Sequence, residues 1–303
     1  MGQQDPRDYQ IIFLSLFLVL GIGTRDWTLR PELMLVLLLS CLLTQWVMVS
    51  FWGKFQENWS LVTSKLPVGW VSDRVTQQQQ KFSHPISSLK NNFIPVSLKS
   101  AAITALSLCL LLRADHYITM VIAGTLAISS KFIFQVERKH FFNPANFGII
   151  AALILTNDAW VSPGQWGDSG WYALLFAGSG CMILKLVGRW DTTAAFFGAY
   201  TLLEGIRNFW LGWTWDVFCH RLMSGSLLLF ALFMLTDPRS IPNARMSRLV
   251  WAICIAVLTF ILRNQLFVST AVFWALFALA PLTVVLDLIW SSPRFNWSDA
   301  KSG

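Results

Sequence analysis

Ten stretches of predominantly apolar residues divide the chain into segments of about the length that crosses a lipid bilayer. Roughly 17–25 apolar residues make a spanning helix, because each helical residue adds only ~1.5 Å of length. A soluble domain could not bury so many long apolar stretches. The pattern therefore predicts an all-α, polytopic integral membrane protein with about ten transmembrane helices. The predicted spans are residues 11–24, 32–52, 93–112, 116–134, 144–159, 171–188, 191–211, 216–236, 247–263 and 268–290.

The composition supports a membrane protein and argues against a nucleic-acid-binding one. Hydrophobic residues make up 55% of the chain and charged residues 13%, against about 25% charged in soluble domains. The formal charge of +7 would suggest a nucleic-acid partner in a soluble protein, but a cytoplasmic excess of Lys and Arg explains it better here. The lipid bilayer is the predicted partner, and no nucleic acid is expected. The five cysteines lie in apolar stretches without C-x-x-C spacing, which favours buried thiols over disulfides or metal ligands.

The distribution of Lys and Arg between alternate loops predicts the orientation. With the amino terminus inside, 16 of the 23 basic residues fall on the inner side and 6 on the outer side, with Lys99 inside a span. Basic loops stay in the cytoplasm, so both termini are expected there.

Three regions follow from this pattern. Residues 1–92 hold two amino-terminal spans and a basic cytoplasmic loop, residues 93–290 form the membrane core, and residues 291–303 are a polar tail. Residues 53–92 are expected to lie as a basic, partly amphipathic strip on the inner leaflet. The chain contains no P-loop, G-x-G-x-x-G, H-E-x-x-H or G-x-S-x-G motif, so no soluble catalytic domain is indicated.

A dense group of charged residues lies between two spans, in the segment SSKFIFQVERKHFFNPANFGI at residues 129–149. It ends in Asn143-Pro144, and a second segment, at residues 233–248, contains Asp237-Pro238. Asn and Asp are favoured N-caps, and Pro suits the first helical position. Each dipeptide therefore predicts a helix start, for the fifth and ninth spans. Capping alone would account for both dipeptides.

Three observations favour a binding site over capping alone. Helix amino termini attract anions, and basic residues cluster beside each predicted start. Gly124-Thr125-Leu126 and Gly225-Ser226-Leu227 precede the two segments and allow close packing or close approach of a ligand. The spans also become short here, as broken helices around a membrane site do. Lys131 is a candidate ligand or ion contact, and His140 is either a ligand contact or an interface histidine.

Other polar residues inside spans have structural explanations as well. Glu204 and Arg207 are three residues apart and could pair on one helix face near the outer end. Asp191, before Thr192, is expected to act as an N-cap at the inner interface.

At these motifs the chain resembles the RnfD/NqrB family, the membrane subunits of the Rnf complex and of the sodium-pumping NADH:quinone oxidoreductase. The resemblance covers roughly residues 90–290. Its matching pieces are Ser97–Leu112, Gly124–Lys131, F-N-P-A at Phe142–Ala145 with Gly148, and F-M-x-T-D-P at Phe233–Pro238.

The resemblance implies a ten-helix subunit with a urea-transporter-like fold that holds flavin and passes electrons with coupled ion movement. Family members with covalent FMN carry an S-G-A-T-like motif between the fifth and sixth spans. Here that loop reads PGQWGDSGWY, in which only Ser169-Gly170 remains. We therefore expect FMN or riboflavin bound non-covalently, or a quinone, with other electron-transport subunits as partners.

The predicted cofactor site combines the two helix starts with the residues around them. Phe141, Phe142 and Phe147 are expected to supply apolar walls. The predicted cofactor-binding residues are Gly124, Thr125, Lys131, His140, Asn143, Pro144, Asn146, Gly225, Thr236, Asp237 and Pro238.

Three functions remain open from the sequence. The first is a flavin- or quinone-binding subunit in ion-coupled electron transport. The second is a small-solute or flavin-like transporter or channel on the same scaffold, favoured by the missing flavin acceptor. The third is a structural membrane subunit without a ligand.

Overall fold

The computed structural model describes residues 5–25, 30–63, 86–137, 139–161, 166 and 170–295, with side chains from 5–24, 30–51 and 98 onwards within those ranges. These residues form twelve α-helices and four strands of two residues each. The predicted all-α class is therefore correct. The helices are α1 (Pro6–Arg25), α2 (Pro31–Thr63), α3 (Ile86–Leu111), α4 (Tyr117–Ile133), α5 (Pro144–Leu155), α6 (Gly170–Val187), α7 (Trp190–Trp210), α8 (Trp215–Leu222), α9 (Gly225–Leu229), α10 (Arg245–Asn264), α11 (Ala271–Leu279) and α12 (Leu282–Ile289).

The strands form two short antiparallel pairs. Strand β1 (Leu112–Arg113) pairs with β4 (Trp160–Val161), and β2 (Gln135–Val136) pairs with β3 (Lys139–His140). The second pair is a small hairpin between α4 and α5.

Each predicted span coincides with a helix or with a bent helix pair. Among the described residues, four helices are long and apolar enough to cross a membrane, α1, α2, α6 and α10. Two pairs, α8 with α9 and α11 with α12, reach that length only across bends of 46° and 47°. The apolar part of α3, with α4 and α5, is shorter. The chain is thus a multi-pass membrane protein.

The exposed face of α2 shows which solvent surrounds the bundle. Leu35, Leu39 and Leu43 are 60%, 52% and 60% exposed, whereas Leu37 and Cys41 are fully buried. Residues four apart lie on one helix face. A soluble helix carries polar residues on its outward face, so a face of exposed leucines is suited to lipid.

The packing of the first five spans recurs in the last five. Helix α1 packs on α3, α2 on α4, and α4 on α5; correspondingly α6 packs on α9, α7 on α10, and α10 on α11. Because five is odd, the two halves run in opposite directions through the bundle. The F-N-P-A and T-D-P motifs are not related by this repeat, since they lie four spans apart, at one end of the bundle.

That end, where α1, α5, α7 and α10 begin, is called the basic end below. It is held by a buried ion pair between α7 and α10. Arg248 donates from its Nη2 to Asp191 Oδ2 at 2.5 Å and from its Nε at 3.1 Å. Asp191 Oδ1 also accepts from the Thr192 backbone N–H at 2.9 Å. The prediction of a simple N-cap was wrong, because Asp191 lies inside α7 and its main partner is a distant arginine.

The same end also binds the β2–β3 hairpin to the last helix. Lys139 Nζ donates to Asp287 Oδ2 at 2.6 Å. Asn243 joins the two networks, since its backbone N–H donates to Asp287 at 2.7 Å and its carbonyl accepts from Arg248 at 2.6 Å. Basic residues predicted to face the cytoplasm are thus partly used in tying helix ends together.

At the opposite end, the predicted Glu204–Arg207 pair is absent from the described contacts. Glu204 instead accepts from Arg221 at 3.0 Å and from Asn264 at 2.8 Å. The Arg207 guanidinium lies 4.6 Å from the ring centroid of Trp213. Both residues have partners on other elements, which the three-residue spacing alone could not predict.

Only two residues, Gly188 and Arg189, connect α6 to α7, and Gly188 adopts a φ of +70°, a conformation that favours glycine. The inner-leaflet strip predicted at 53–92 lies largely outside the described side chains. Helix α2 continues to Thr63 and α3 begins at Ile86.

Candidate functional site

The side chain of Lys131, near the end of α4, places an ammonium group inside the bundle. It lies in the last turn of that helix and is only 8% exposed. Its Nζ donates to the Ser100 carbonyl at 3.2 Å and to the Ser100 hydroxyl at 3.1 Å, both on α3. A buried ammonium is retained only with such partners, and this one stands at a cavity wall, as described below.

Helix α5 begins as the sequence predicts. Asn143 is the N-cap, with its Oδ1 accepting the Asn146 backbone N–H at 3.0 Å, and Pro144 takes the first helical position. The Asn143 amide also donates to the Met234 carbonyl at 2.9 Å. One side chain therefore both caps α5 and holds the segment that contains T-D-P.

The second predicted helix start is wrong. Asp237-Pro238 does not open a helix; α10 begins only at Arg245, after a series of turns. Before the dipeptide, Phe230–Met234 form a π-helical turn that continues α9. Asp237 Oδ1 accepts from the Arg239 backbone N–H at 3.2 Å, so the carboxylate stabilises a turn.

The two motif segments meet side by side. His140 Nε2 lies 3.6 Å from Asp237 Oδ2. Burial lowers the pKa of His140 and outweighs the opposing effect of Asp237, so the imidazole is neutral at neutral pH. Burial acts to raise the pKa of Asp237, but the contact with His140 and the charge of Lys131 outweigh it, so the pKa of the carboxyl is lowered. The pair is a neutral imidazole beside a carboxylate.

A cavity of about 420 Å³ opens beside this pair. It extends along α3 from Ser100 to Ser107, about 10 Å at the helical rise. Seven of the eleven predicted residues line it, namely Lys131, His140, Asn143, Pro144, Thr236, Asp237 and Pro238. The other lining residues are Arg7, Gln10, Gln45, Val49, Ser100, Ile103, Thr104, Ser107, Phe132, Gln135, Ala145, Ile183, Val187, Phe233, Met234 and Arg239.

The four remaining predicted residues do not line the cavity. Gly124 and Thr125 face α2, where a Cβ on Gly124 would lie 3.2 Å from Cys41 Sγ and where Thr125 contacts Thr44 at 3.5 Å. Gly225 lies against the Trp166 side chain. Asn146 donates to the Phe273 carbonyl at 3.1 Å. These residues bring helices together.

The expected aromatic walls are also elsewhere. Phe142 stacks on Phe277 at a centroid distance of 5.1 Å, and Phe147 packs on both rings. Phe141 joins the same cluster through Phe142. Phe132 and Phe233 line the cavity instead. Closeness in sequence to the F-N-P-A motif did not predict which phenylalanines line the cavity, because the side chains of Phe142 and Phe147 pack toward α11.

Several lining residues were missed by the sequence reasoning. Asp5 caps α1 before Pro6 and pairs with buried Arg7 at 2.6 Å, so the Asp/Asn-Pro pattern occurs a third time at this end. Gln45 is an isolated amide in the apolar run of α2 and is 4% exposed. The Asp5-Pro6 dipeptide could have indicated Arg7, and a single amide in an apolar run could have indicated Gln45.

In a comparison with known protein families, the model of the NQR2, RnfD, RnfE family matches residues 156–295. That region is similar to the NQR2, RnfD, RnfE family. The match includes T-D-P and confirms the resemblance drawn from the sequence, whereas F-N-P-A lies before the matched range. A comparison with curated proteins found no match.

This similarity and the long apolar helices together indicate a membrane-embedded protein that resembles the Rnf/Nqr membrane subunits. The cavity lies between the region matched to the family and the helices before it, since α6 and the π-helical turn form one side and α1 to α5 the other. The loop expected to have lost the covalent FMN acceptor falls mostly outside the described residues, which include only Trp166 and the residues from Gly170 onwards.

Proposed function

We propose that this Rnf/Nqr-type membrane subunit binds a flavin, or a quinone, non-covalently in the cavity at the basic end and takes part in electron transport coupled to ion movement. The observation that carries the proposal is the convergence of both sequence motifs on one cavity with polar and apolar walls. A volume of about 420 Å³ lies within the ~300–1,000 Å³ typical of small-molecule sites.

The lining residues fit a planar ring with one polar edge. Phe132, Phe233, Ile183 and Val187 offer apolar contact, and the polar groups gather around Lys131. Pockets of this kind bury the ring against apolar walls and fix its orientation with a few polar groups. A bound flavin would supply the electron-transfer chemistry, and the protein would tune it.

The charged residues suggest how this tuning would work. The Lys131 ammonium would stabilise negative charge on a reduced ring, because charges interact strongly away from water. The neutral His140 imidazole can accept a proton, and Asp237 would stabilise the resulting imidazolium. A proton could therefore be held beside the ring while it carries added charge.

In this proposal other electron-transport subunits deliver and remove the electrons, and the chain lies in the bacterial inner membrane. The cavity would then open toward the cytoplasm, because the basic end carries the inner loops of the positive-inside pattern.

The test is the visible absorption spectrum of the chain purified in detergent. Flavin bands that leave with the supernatant after acid precipitation are expected. Lys131→Ala and Asp237→Asn should lose flavin, whereas Arg263→Lys at the opposite end should keep it. Protein that carries neither flavin nor quinone, and takes up neither when it is added, would refute the proposal.

A transporter or channel function is the second candidate, because the cavity carries hydroxyl and amide groups well into the bundle, at Thr104, Ser107 and Gln45. Uptake of riboflavin or another small solute into proteoliposomes, in the absence of any redox partner, would favour it.

A further inference from the structure

Gln45 lies on the cavity wall formed by α2. Its side chain is 4% exposed, and its Oε1 has no hydrogen-bond partner in the described part of the chain. Thr104, another lining residue, donates its hydroxyl proton to the Ser100 carbonyl at 3.0 Å and so does not donate it to Gln45. Buried polar atoms nearly always have partners, so an exception at a cavity wall points to a missing donor.

The chemistry of the missing donor separates the two ligands left open by the proposed function. The pyrimidine ring of a flavin carries one imide N–H between two carbonyls. A carboxamide matches that edge, since its oxygen accepts from the N–H and its NH₂ can donate to a neighbouring carbonyl. An oxidised quinone ring offers only carbonyl acceptors and would leave the Gln45 oxygen unpaired.

We propose that Gln45 is a specificity-determining residue that accepts a hydrogen bond from the flavin imide N–H and so selects flavin over oxidised quinone. The inference rests on the proposed function. It also places the selecting residue outside residues 156–295, the range matched to the family. The helices before that range would then determine which planar ligand the cavity takes.

The Lys131 ammonium is compatible with this orientation. Lys131, on α4, has an ammonium with donors only, so it suits a carbonyl or an anionic ring and cannot replace Gln45 as an acceptor. In this proposal the Gln45 oxygen accepts a hydrogen bond from the ligand, and the Lys131 ammonium donates to acceptors on the same ligand.

The test compares riboflavin with N3-methylriboflavin, in which a methyl group replaces the imide proton, by fluorescence quenching on flavin-free protein. Wild-type protein should bind riboflavin roughly 10- to 100-fold more tightly, as expected when a buried acceptor loses its donor. Gln45→Met keeps the length of the side chain and removes the acceptor. It should bind riboflavin more weakly and discriminate by less than about threefold.

Gln265→Met is the matched control, because Gln265 follows the end of α10 that is opposite the cavity and is not one of the residues that line it. It should discriminate as the wild type does. A soluble quinone analogue at equal concentration should fail to displace riboflavin from wild-type protein.

Two results would overturn the inference alone. One is equal affinity of wild-type protein for the two flavins, which requires no variant. The other is full discrimination by a folded Gln45→Met protein, which would assign the effect to the bulk of the methyl group. Absence of any flavin binding would instead refute the proposed function, and the inference with it.

Discussion

Asp191 and Arg248 form a buried ion pair, and each side chain is 7% exposed. Removing one partner of such a pair leaves an uncompensated charge away from water, which costs about 3–5 kcal/mol. Asp191→Ala should therefore lower the free energy of unfolding by about that amount, measured by thermal or denaturant unfolding in detergent. Separation of α7 from α10 is the expected structural consequence.

The pair between Asp8 and Lys99 provides the control, because it has a similar distance, 2.6 Å, but is about one third exposed. Pairs screened by solvent contribute only ~0–1 kcal/mol, so Asp8→Ala should change stability little. Equal effects of the two substitutions would show that the buried pair does not hold the helices together.

At the scale of single residues, sequence reasoning succeeded where the partner is local. Asn143 caps α5 by accepting a hydrogen bond from the backbone N–H of Asn146, only three residues later. Pro144 suits the first helical position because of its own ring geometry. Asp237 and Glu204 were assigned wrongly because their partners, His140 and Arg221, come from other elements. A spacing rule along one helix carries no information about such contacts.

The contact between helices α4 and α5 depends on Gly148. A Cβ there would lie 2.7 Å from the Ala123 carbonyl oxygen and 2.8 Å from the Ala127 Cβ. Helix backbones cannot shift freely inside a packed bundle, and overpacking costs roughly 1–3 kcal/mol. Gly148→Ala should thus destabilise the protein by about that amount and weaken ligand binding, since α5 and α4 both line the cavity.

Gly178 in α6 provides the control for this substitution, because a Cβ there would have no atom within 4 Å among the described residues. Alanine favours a helix over glycine by about 1 kcal/mol, so Gly178→Ala should be neutral or stabilising in the same unfolding measurement. The prediction for α5 fails if Gly148→Ala behaves like Gly178→Ala.

At the scale of elements, hydropathy located the helices but not their irregularities. Counting apolar residues along the chain did not predict the π-helical turn at Phe230–Met234 or the turns up to Arg245. An extra residue in a helical turn does not alter composition, although such turns often occur at functional sites. The cavity beside T-D-P therefore could not be predicted as a shape, even though most of its motif residues were named.

For the whole molecule, the class and the succession of spans followed from the apolar pattern, because lipid permits few alternatives to helices. The sequence did not show which helix ends lie close together, because that depends on the three-dimensional packing. Alternating spans place the beginning of α1, the end of α4 and the beginning of α5 at one end, and the cavity residues Arg7, Lys131 and Pro144 lie there. Together with the Lys/Arg bias, this arrangement predicts that the end with the cavity faces the cytoplasm.

Reporter fusions test that orientation on the full chain. The bias toward basic residues at one end should keep that end in the cytoplasm. A fluorescent protein fused after Gly303 should therefore be fluorescent, and alkaline phosphatase fused there should be inactive. Alkaline phosphatase inserted at Gly212, in the turn between α7 and α8 at the opposite end, should be active. The reverse pattern would place the cavity on the outer side of the membrane and would contradict the predicted orientation.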